Sequence, residues 1–202
     1  PSINEVKKYL EKYSEEKIVI KCGGSVLIDP NLFKIFISNM VLMKKLGLTP
    51  TIVHGGGKRI NNKLKELNIE TTFIKGLRVT NKDTINVVED VLIEFNKEIV
   101  NALKDKSCSA KSITTKDNSI ITVRSKKEEL GFVGEPTEIK INFLNETIEA
   151  GQIPVIAPMG LKDNQTYNIN ADTAAGAIAK KLKSRRLLLM TDIEGVMDNN
   201  KL

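Results

Sequence analysis

The chain has no tryptophan, one histidine and two cysteines, and aromatic side chains make up only 4% of its 202 residues. Cys22 and Cys108 are too few and too far apart for a disulfide scaffold or a metal cluster. They point to a reducing compartment, read as the cytoplasm, or a plastid after removal of a transit peptide. The basic residues form no clustered stripe with interleaved aromatics, which argues against a nucleic-acid partner. Apolar runs such as Arg186 to Met190 fall far short of the roughly 18 residues that a membrane span needs. The start, Pro1 to Tyr13, is polar and periodic rather than basic and then apolar, so it does not read as a signal peptide. What remains is an ordinary globular composition: 41% apolar, 28% charged, and 31 Lys and Arg against 25 Asp and Glu for a net charge of +6. At about 150 residues per domain this is one domain, or one and part of a second. The basic excess suits a small anionic substrate.

Hydrophobic periodicity organises the chain. Ser2-Ile3-Asn4-Glu5 has capping-box form, and Ile3, Val6, Leu10 and Tyr13 share a helical face, which predicts an amphipathic helix within residues 1–16. Residues 17–21 read as a strand running into Gly23-Gly24, followed by a helix with Leu32, Phe33, Phe36, Ile37, Met40 and Val41 on its apolar face. Thr51-Ile52-Val53 repeats the pattern into Gly55-Gly56-Gly57 and a helix ending near Leu67. A longer helix is predicted over 84–103, with Val88, Leu92, Phe95, Ile99 and Leu103 as its stripe and Thr80 and Asp83 placed to cap it. Ile93 and Val100 fall off that stripe, which means a deeply buried helix or a second contact surface, a candidate dimer face. Hairpins are expected between Ser109 and Ile141, then a helix over 142–150, a buried strand over 153–156, a loop or hairpin over 160–168, a helix over 171–183 and a last buried strand over 187–191. Continuous apolar strands alternating with helices predict an α/β fold, a three-layer αβα sandwich around a mostly parallel central sheet.

Such sheets bind ligands beyond the carboxyl ends of their strands. Gly23-Gly24-Ser25 and Gly55-Gly56-Gly57 each follow a strand and open a helix, so each offers backbone N–H groups and a positive dipole end to an anion. Neither fits the Walker or dinucleotide pattern. Lys21 ends the first strand, within reach of a phosphate held at the first turn, and strand alternation sends Cys22 to the opposite face as a buried structural thiol. His54 reads as a structural hydrogen-bonding residue. No metal-ligating set is found.

Together, Lys21-Cys22-Gly23-Gly24-Ser25, His54-Gly55-Gly56-Gly57, Gly76-Leu77-Arg78-Val79-Thr80, Asn168-Ile169-Asn170-Ala171-Asp172 and Thr191-Asp192-Ile193-Glu194-Gly195-Val196 resemble, in order, the motifs of the amino-acid kinase family. The third and fourth point to its acetylglutamate branch. The resemblance implies the carbamate kinase-like fold and ATP-dependent phosphorylation, with Mg²⁺, of the side-chain carboxylate of N-acetyl-L-glutamate, the second step of arginine biosynthesis. A kinase for a related acyl-amino acid such as acetylaminoadipate, or a non-catalytic acylamino-acid-binding module, are the competing readings.

The same resemblance assigns residues. Lys21 would stabilise the transition state, with Asp172 orienting the catalytic lysines, and Gly23 and Gly24 would face the phosphates. Gly56, Gly57, Arg78 and Asn168 would hold acetylglutamate, while Asp192, Ile193, Glu194, Gly195, Val196 and Met197 would edge the nucleotide site. Residues 17–160 would form the acetylglutamate lobe and 161–202 the start of a nucleotide lobe. Family members continue beyond the equivalent of Leu202, which puts a second catalytic lysine and most of the adenine wall outside these residues. The helix over 2–13 resembles the segment that links family dimers into arginine-inhibited hexamers; a homodimer or hexamer is therefore implied.

Overall fold

A computed structural model describes Glu5, Lys8, Lys12, residues 16–23, Val26 and residues 28–191. Glu5, Lys8 and Lys12 are helical. The rest of the amino-terminal stripe, with Gly24, Ser25 and Asp192 to Met197, lies outside the described residues.

Strand β1 (Lys17–Cys22) alternates as its sequence requires. Ile18, Ile20 and Cys22 enter one apolar layer and Val19 enters the other. It pairs in parallel with β2 (Thr49–His54). Beyond β2 lie β8 (Ile153–Ile156) and β5 (Ala110–Ile113), and β11 (Arg186–Met190) closes the other edge, giving the order β11-β1-β2-β8-β5 with every pairing parallel. Two of these strands depart from expectation. β5 joins the central sheet instead of a hairpin, because its short Ala-Lys-Ser-Ile stretch is paired by β8 rather than by a sequence neighbour. β11 forms, but among the described residues it stands at the sheet edge, with Leu187, Leu188 and Leu189 38, 43 and 50% exposed.

On one face of the sheet lie α1 (Pro30–Lys45) and α3 (Lys82–Lys104), which pack Phe36, Ile37, Met40, Phe95, Ile99 and Leu103 onto Ile18, Ile20 and Ile52. Asp29 starts α1 by accepting from the Asn31 and Leu32 amides, with Pro30 in the first turn. Leu32, expected on the apolar face, is instead 40% exposed. The cap of α3 is Asn81, whose side chain accepts from the Thr84 amide, rather than Thr80 or Asp83; the Thr80 hydroxyl donates to the Arg78 carbonyl. Val100 is buried in the first core layer and Ile93 packs, half-buried, on another cluster. Burial within the chain therefore accounts for Val100, while Ile93 stays partly exposed.

Against the other face, α4 (Ile141–Glu149) and α5 (Ala171–Leu182) place Leu144, Ile148, Ala174, Ala175 and Ile178 on Val19, Val53 and Ile156. The result is the three-layer αβα sandwich. The smaller α2 (Gly57–Glu66) packs Ile60 and Leu64 on α3. A second sheet of order β10-β9-β6-β7 holds β6 (Ile121–Ser125) against β7 (Gly134–Ile139), and the hairpin of β9 (Met159–Lys162) and β10 (Gln165–Asn168). A two-residue turn joins β3 (Phe73–Ile74) to β4 (Leu77–Arg78), with Lys75 and Gly76 both at positive φ, 48° and 77°. Such a turn matches the twist of the strands it joins, and glycine takes its second position without strain.

Candidate active site

The carboxyl ends of β1, β2 and β8 open into one cleft of about 230 Å³. Lys21 and Gly23 enter from β1, Gly55 to Gly57 from the turn before α2, Arg78 from β4, Asn168 from the end of β10, and Asp172 from the first turn of α5. The cleft thus gathers Lys21, Gly23, Gly56, Gly57, Arg78, Asn168 and Asp172, which come from widely separated parts of the sequence.

Lys21 places its ammonium 2.9 Å from Asp172 Oδ1. The lysine side chain is 13% exposed and the carboxylate 53%, so the pair sits where cleft meets solvent. Asp172 also lies in a helix first turn, where a negative charge complements the dipole, and Asn170 caps that helix by accepting from the amides of Asp172 and Thr173. Gly23 leaves the space that the lysine uses: a Cβ there would stand 3.0 Å from Lys21 Nζ.

Arg78 is nearly buried, and its partners among the described residues are neutral. It donates to Thr71 Oγ1 at 2.8 Å, Asn61 Oδ1 at 2.6 Å and the Gly57 carbonyl at 3.3 Å, and lies 4.7 Å over the Phe73 ring. Burial lowers its pKa from the ordinary arginine value, because the charged form is losing water. A buried guanidinium held by dipoles alone leaves its charge available to an anion. Asn168 donates to Thr80 Oγ1 at 3.4 Å, and the Thr80 hydroxyl donates in turn to the Arg78 carbonyl at 3.0 Å, so the two acceptor-pocket candidates are joined through one buried threonine. Gly131 packs against Thr80 so closely that a Cβ would fall 2.4 Å from the Thr80 backbone carbonyl oxygen.

Several supporting residues escape sequence reasoning. Thr71 and Asn61 reach Arg78 from a loop and from α2, and no motif marks them. Glu89, buried on α3, accepts from the Thr115 and Thr166 hydroxyls, both at 2.6 Å, and its other oxygen lies 3.3 Å from the Lys116 ammonium. Burial would raise its pKa, but these hydrogen bonds and the lysine charge outweigh that and pull it below the usual carboxylate range. It anchors β10 two residues before Asn168. Its only sequence signal is a charge on an otherwise apolar helix face.

The Amino acid kinase family model matches residues 16–202. The chain is 65% identical over all 202 residues to the acetylglutamate kinase of Pelagibacter ubique strain HTCC1062 and 45% identical over 199 residues to that of Caldanaerobacter subterraneus subsp. tengcongensis. It spans 70 and 67% of those relatives' lengths. Among solved structures, the Streptococcus mutans UA159 protein smu.665 superposes with a TM-score of 0.79 at 32% identity, over 92% of this chain and 76% of that one. An N-acetylglutamate synthase from Neisseria gonorrhoeae shares the fold, with a TM-score of 0.85 at 18% identity, over all of this chain and 48% of its own.

Proposed function

The chain belongs to the amino acid kinase family, and from that premise we propose that it carries out ATP-dependent phosphorylation of the side-chain carboxylate of N-acetyl-L-glutamate. The observation that carries the reading is one cleft joining an ion-paired strand-end lysine, Gly23, the Gly55 to Gly57 turn and a buried arginine that has no carboxylate partner among the described residues.

The acceptor carboxylate, with an ordinary pKa near 4.3, is already ionised at neutral pH, so no general base is required. One carboxylate oxygen forms a bond to the γ-phosphorus as the bond from phosphorus to the bridging oxygen breaks. That electron pair leaves on ADP, and no proton is transferred in the step. Catalysis reduces to positioning and to neutralising charge between two anions. Lys21, aimed by Asp172, meets the transferring phosphoryl group, and Gly23 and Gly24 present backbone to the phosphates. Arg78 holds the carboxylate that does not react with its planar fork, while Asn168, Gly56 and Gly57 hold the rest of the acceptor. Asp192 to Met197 edge the nucleotide site.

Mg²⁺ bound with the ATP would shield its phosphates; among the described residues no three His, Cys, Asp or Glu side chains come together to hold a metal. Residues 17–160 are the acetylglutamate lobe and 161–202 begin the nucleotide lobe. The proposal extends to a cytoplasmic homodimer or hexamer inhibited by arginine; among the described residues no helix is long and apolar enough to cross a membrane.

The full-length protein, given ATP, Mg²⁺ and N-acetylglutamate, is expected to form an acyl phosphate that hydroxylamine traps as the hydroxamate. Equal or better turnover of acetylaminoadipate or free glutamate would overturn the substrate, and acetylglutamate binding without turnover would reduce the protein to a binding module.

A further inference from the structure

Beneath the second glycine turn a short polar chain runs through apolar surroundings. His54, the last residue of β2, is fully buried and stands edge-on to Phe95, with ring centroids 5.1 Å apart. Its Nδ1 lies 2.9 Å from the Gly55 carbonyl oxygen, which can only accept, so Nδ1 carries the proton. Its Nε2 lies 3.1 Å from Asn96 Nδ2, and that same amide nitrogen donates to the Val155 carbonyl at 2.9 Å. Asn96 therefore shows its N–H to the ring, and Nε2 accepts. Asn96 is itself fully buried on α3, and its Oδ1 has no partner among the described residues, where these two bonds orient the amide.

A trans peptide sets one residue's carbonyl antiparallel to the next residue's N–H. Holding the Gly55 carbonyl toward the buried ring turns the Gly56 N–H the other way, toward the cleft that Gly55, Gly56 and Gly57 line. The Gly55 N–H meanwhile donates to the Cys22 carbonyl at 2.7 Å, next to Gly23, which ties the two glycine turns together. A Cβ on Gly56 would stand 2.5 Å from Leu92 Cδ2, so the turn also rests directly on the core.

From this geometry we propose that His54 and Asn96 are positioning residues for phosphoryl transfer: Asn96 fixes the tautomer of His54, and His54 fixes the direction of the Gly56 N–H. Neither touches substrate. What the N–H meets rests on the kinase reading; the tautomer does not. Burial lowers the imidazole pKa to about 4, against the opposing pull of the Gly55 bond and with the Arg59 guanidinium adding to the drop. Arg59 lies over Phe95 at 4.1 Å and pairs with Glu98 at 2.7 Å. The ring is thus neutral at neutral pH.

The test uses ¹⁵N-histidine-labelled full-length protein, with the His54 signals identified by their loss in His54→Phe. The expected spectrum is a protonated Nδ1 and a bare Nε2, unchanged from pH 8 to pH 5. His54→Phe is expected to lower kcat about 100-fold, the cost of displacing a reacting geometry by about 1 Å, and, because Gly56 also holds the acceptor, to raise KM for N-acetylglutamate by less than about tenfold. His54→Asn, whose amide N–H stands in for Nδ1–H, is expected to restore kcat to within about tenfold of wild type. Asn96→Leu takes the donor away from Nε2, and is expected to let the Nε2–H tautomer populate and to lower kcat. An Nε2–H tautomer in the wild type overturns the proposal. So does His54→Phe with normal kcat, or, should that variant not fold, Asn96→Leu with an unshifted tautomer or with normal kcat. A wild type inactive on N-acetylglutamate overturns the functional reading and this role together, whereas the other failures, in an active enzyme, overturn the role alone.

Discussion

Lys21 and Arg78 line the same cleft, but they hold their charges in opposite ways. Lys21 spends its charge on a solvent-edge carboxylate 2.9 Å away, whereas Arg78 is nearly buried among a threonine hydroxyl, an asparagine oxygen and a backbone carbonyl. An ion pair at the mouth of a cleft is oriented and readily rearranged, since high-dielectric surroundings make its attraction modest. A guanidinium desolvated without a counter-charge has lost water that only an anion fully replaces. The difference teaches that Lys21 is arranged to meet charge that appears and moves, and Arg78 to meet charge that is present throughout. The same contrast separates kcat from KM.

The largest effect expected from breaking this contrast comes from Lys21→Ala in the full-length enzyme. Loss of a charge aimed at the transition state should lower kcat about 100- to 1,000-fold while KM for N-acetylglutamate stays near wild type, as steady-state kinetics would show. Arg78→Ala should do the reverse, raising KM for N-acetylglutamate roughly 10- to 100-fold, the range for a lost charged hydrogen bond, with a smaller change in kcat. Arg78→Lys should recover little, because a point charge cannot reproduce the fork. Exchanged outcomes for the two sites would mean that their roles are exchanged. The smallest effect is reserved for Cys22, adjacent to Lys21 but on the opposite, core-facing side of β1. Burial pushes its thiol up to about 12, against the opposing charge of Lys21, so iodoacetamide at pH 8 should leave it unmodified in the native protein. Cys22→Ala should keep kcat and KM within about twofold and lower stability by about 1 kcal/mol for the lost packing. A tenfold loss of kcat in that variant would show that the strand end tolerates no repacking beneath Lys21.

Sequence pattern made β1, β2 and the second glycine turn legible because each strand is a short β-branched run and Gly55-Gly56-Gly57 leads straight into α2, whereas α1 starts only at Pro30 and not at the first glycine pair. It placed Cys22 correctly because strand alternation follows from local geometry alone. It placed β11 as a strand, because the apolar run Leu187-Leu188-Leu189 marks one wherever in the sheet it lies. β5 was hidden because Ala-Lys-Ser-Ile has no periodicity of its own and owes its form to β8. Asn81 was passed over as a cap because Thr80 and Asp83, both good capping residues, flank it in the sequence.

Residue type, spacing and strand-to-helix alternation by themselves determined the layered α/β architecture, the two glycine turns and the identity of the cationic residues, because those follow from interactions within a few positions of one another. Only the tertiary structure decided which charges are neutralised and which are not. It brought Asp172 across to Lys21, Thr71 and Asn61 around Arg78, and Asn96 beneath His54, pairings between residues far apart in the chain or in unmarked segments, whose contacts exist only after the sheet has closed and its core has excluded water.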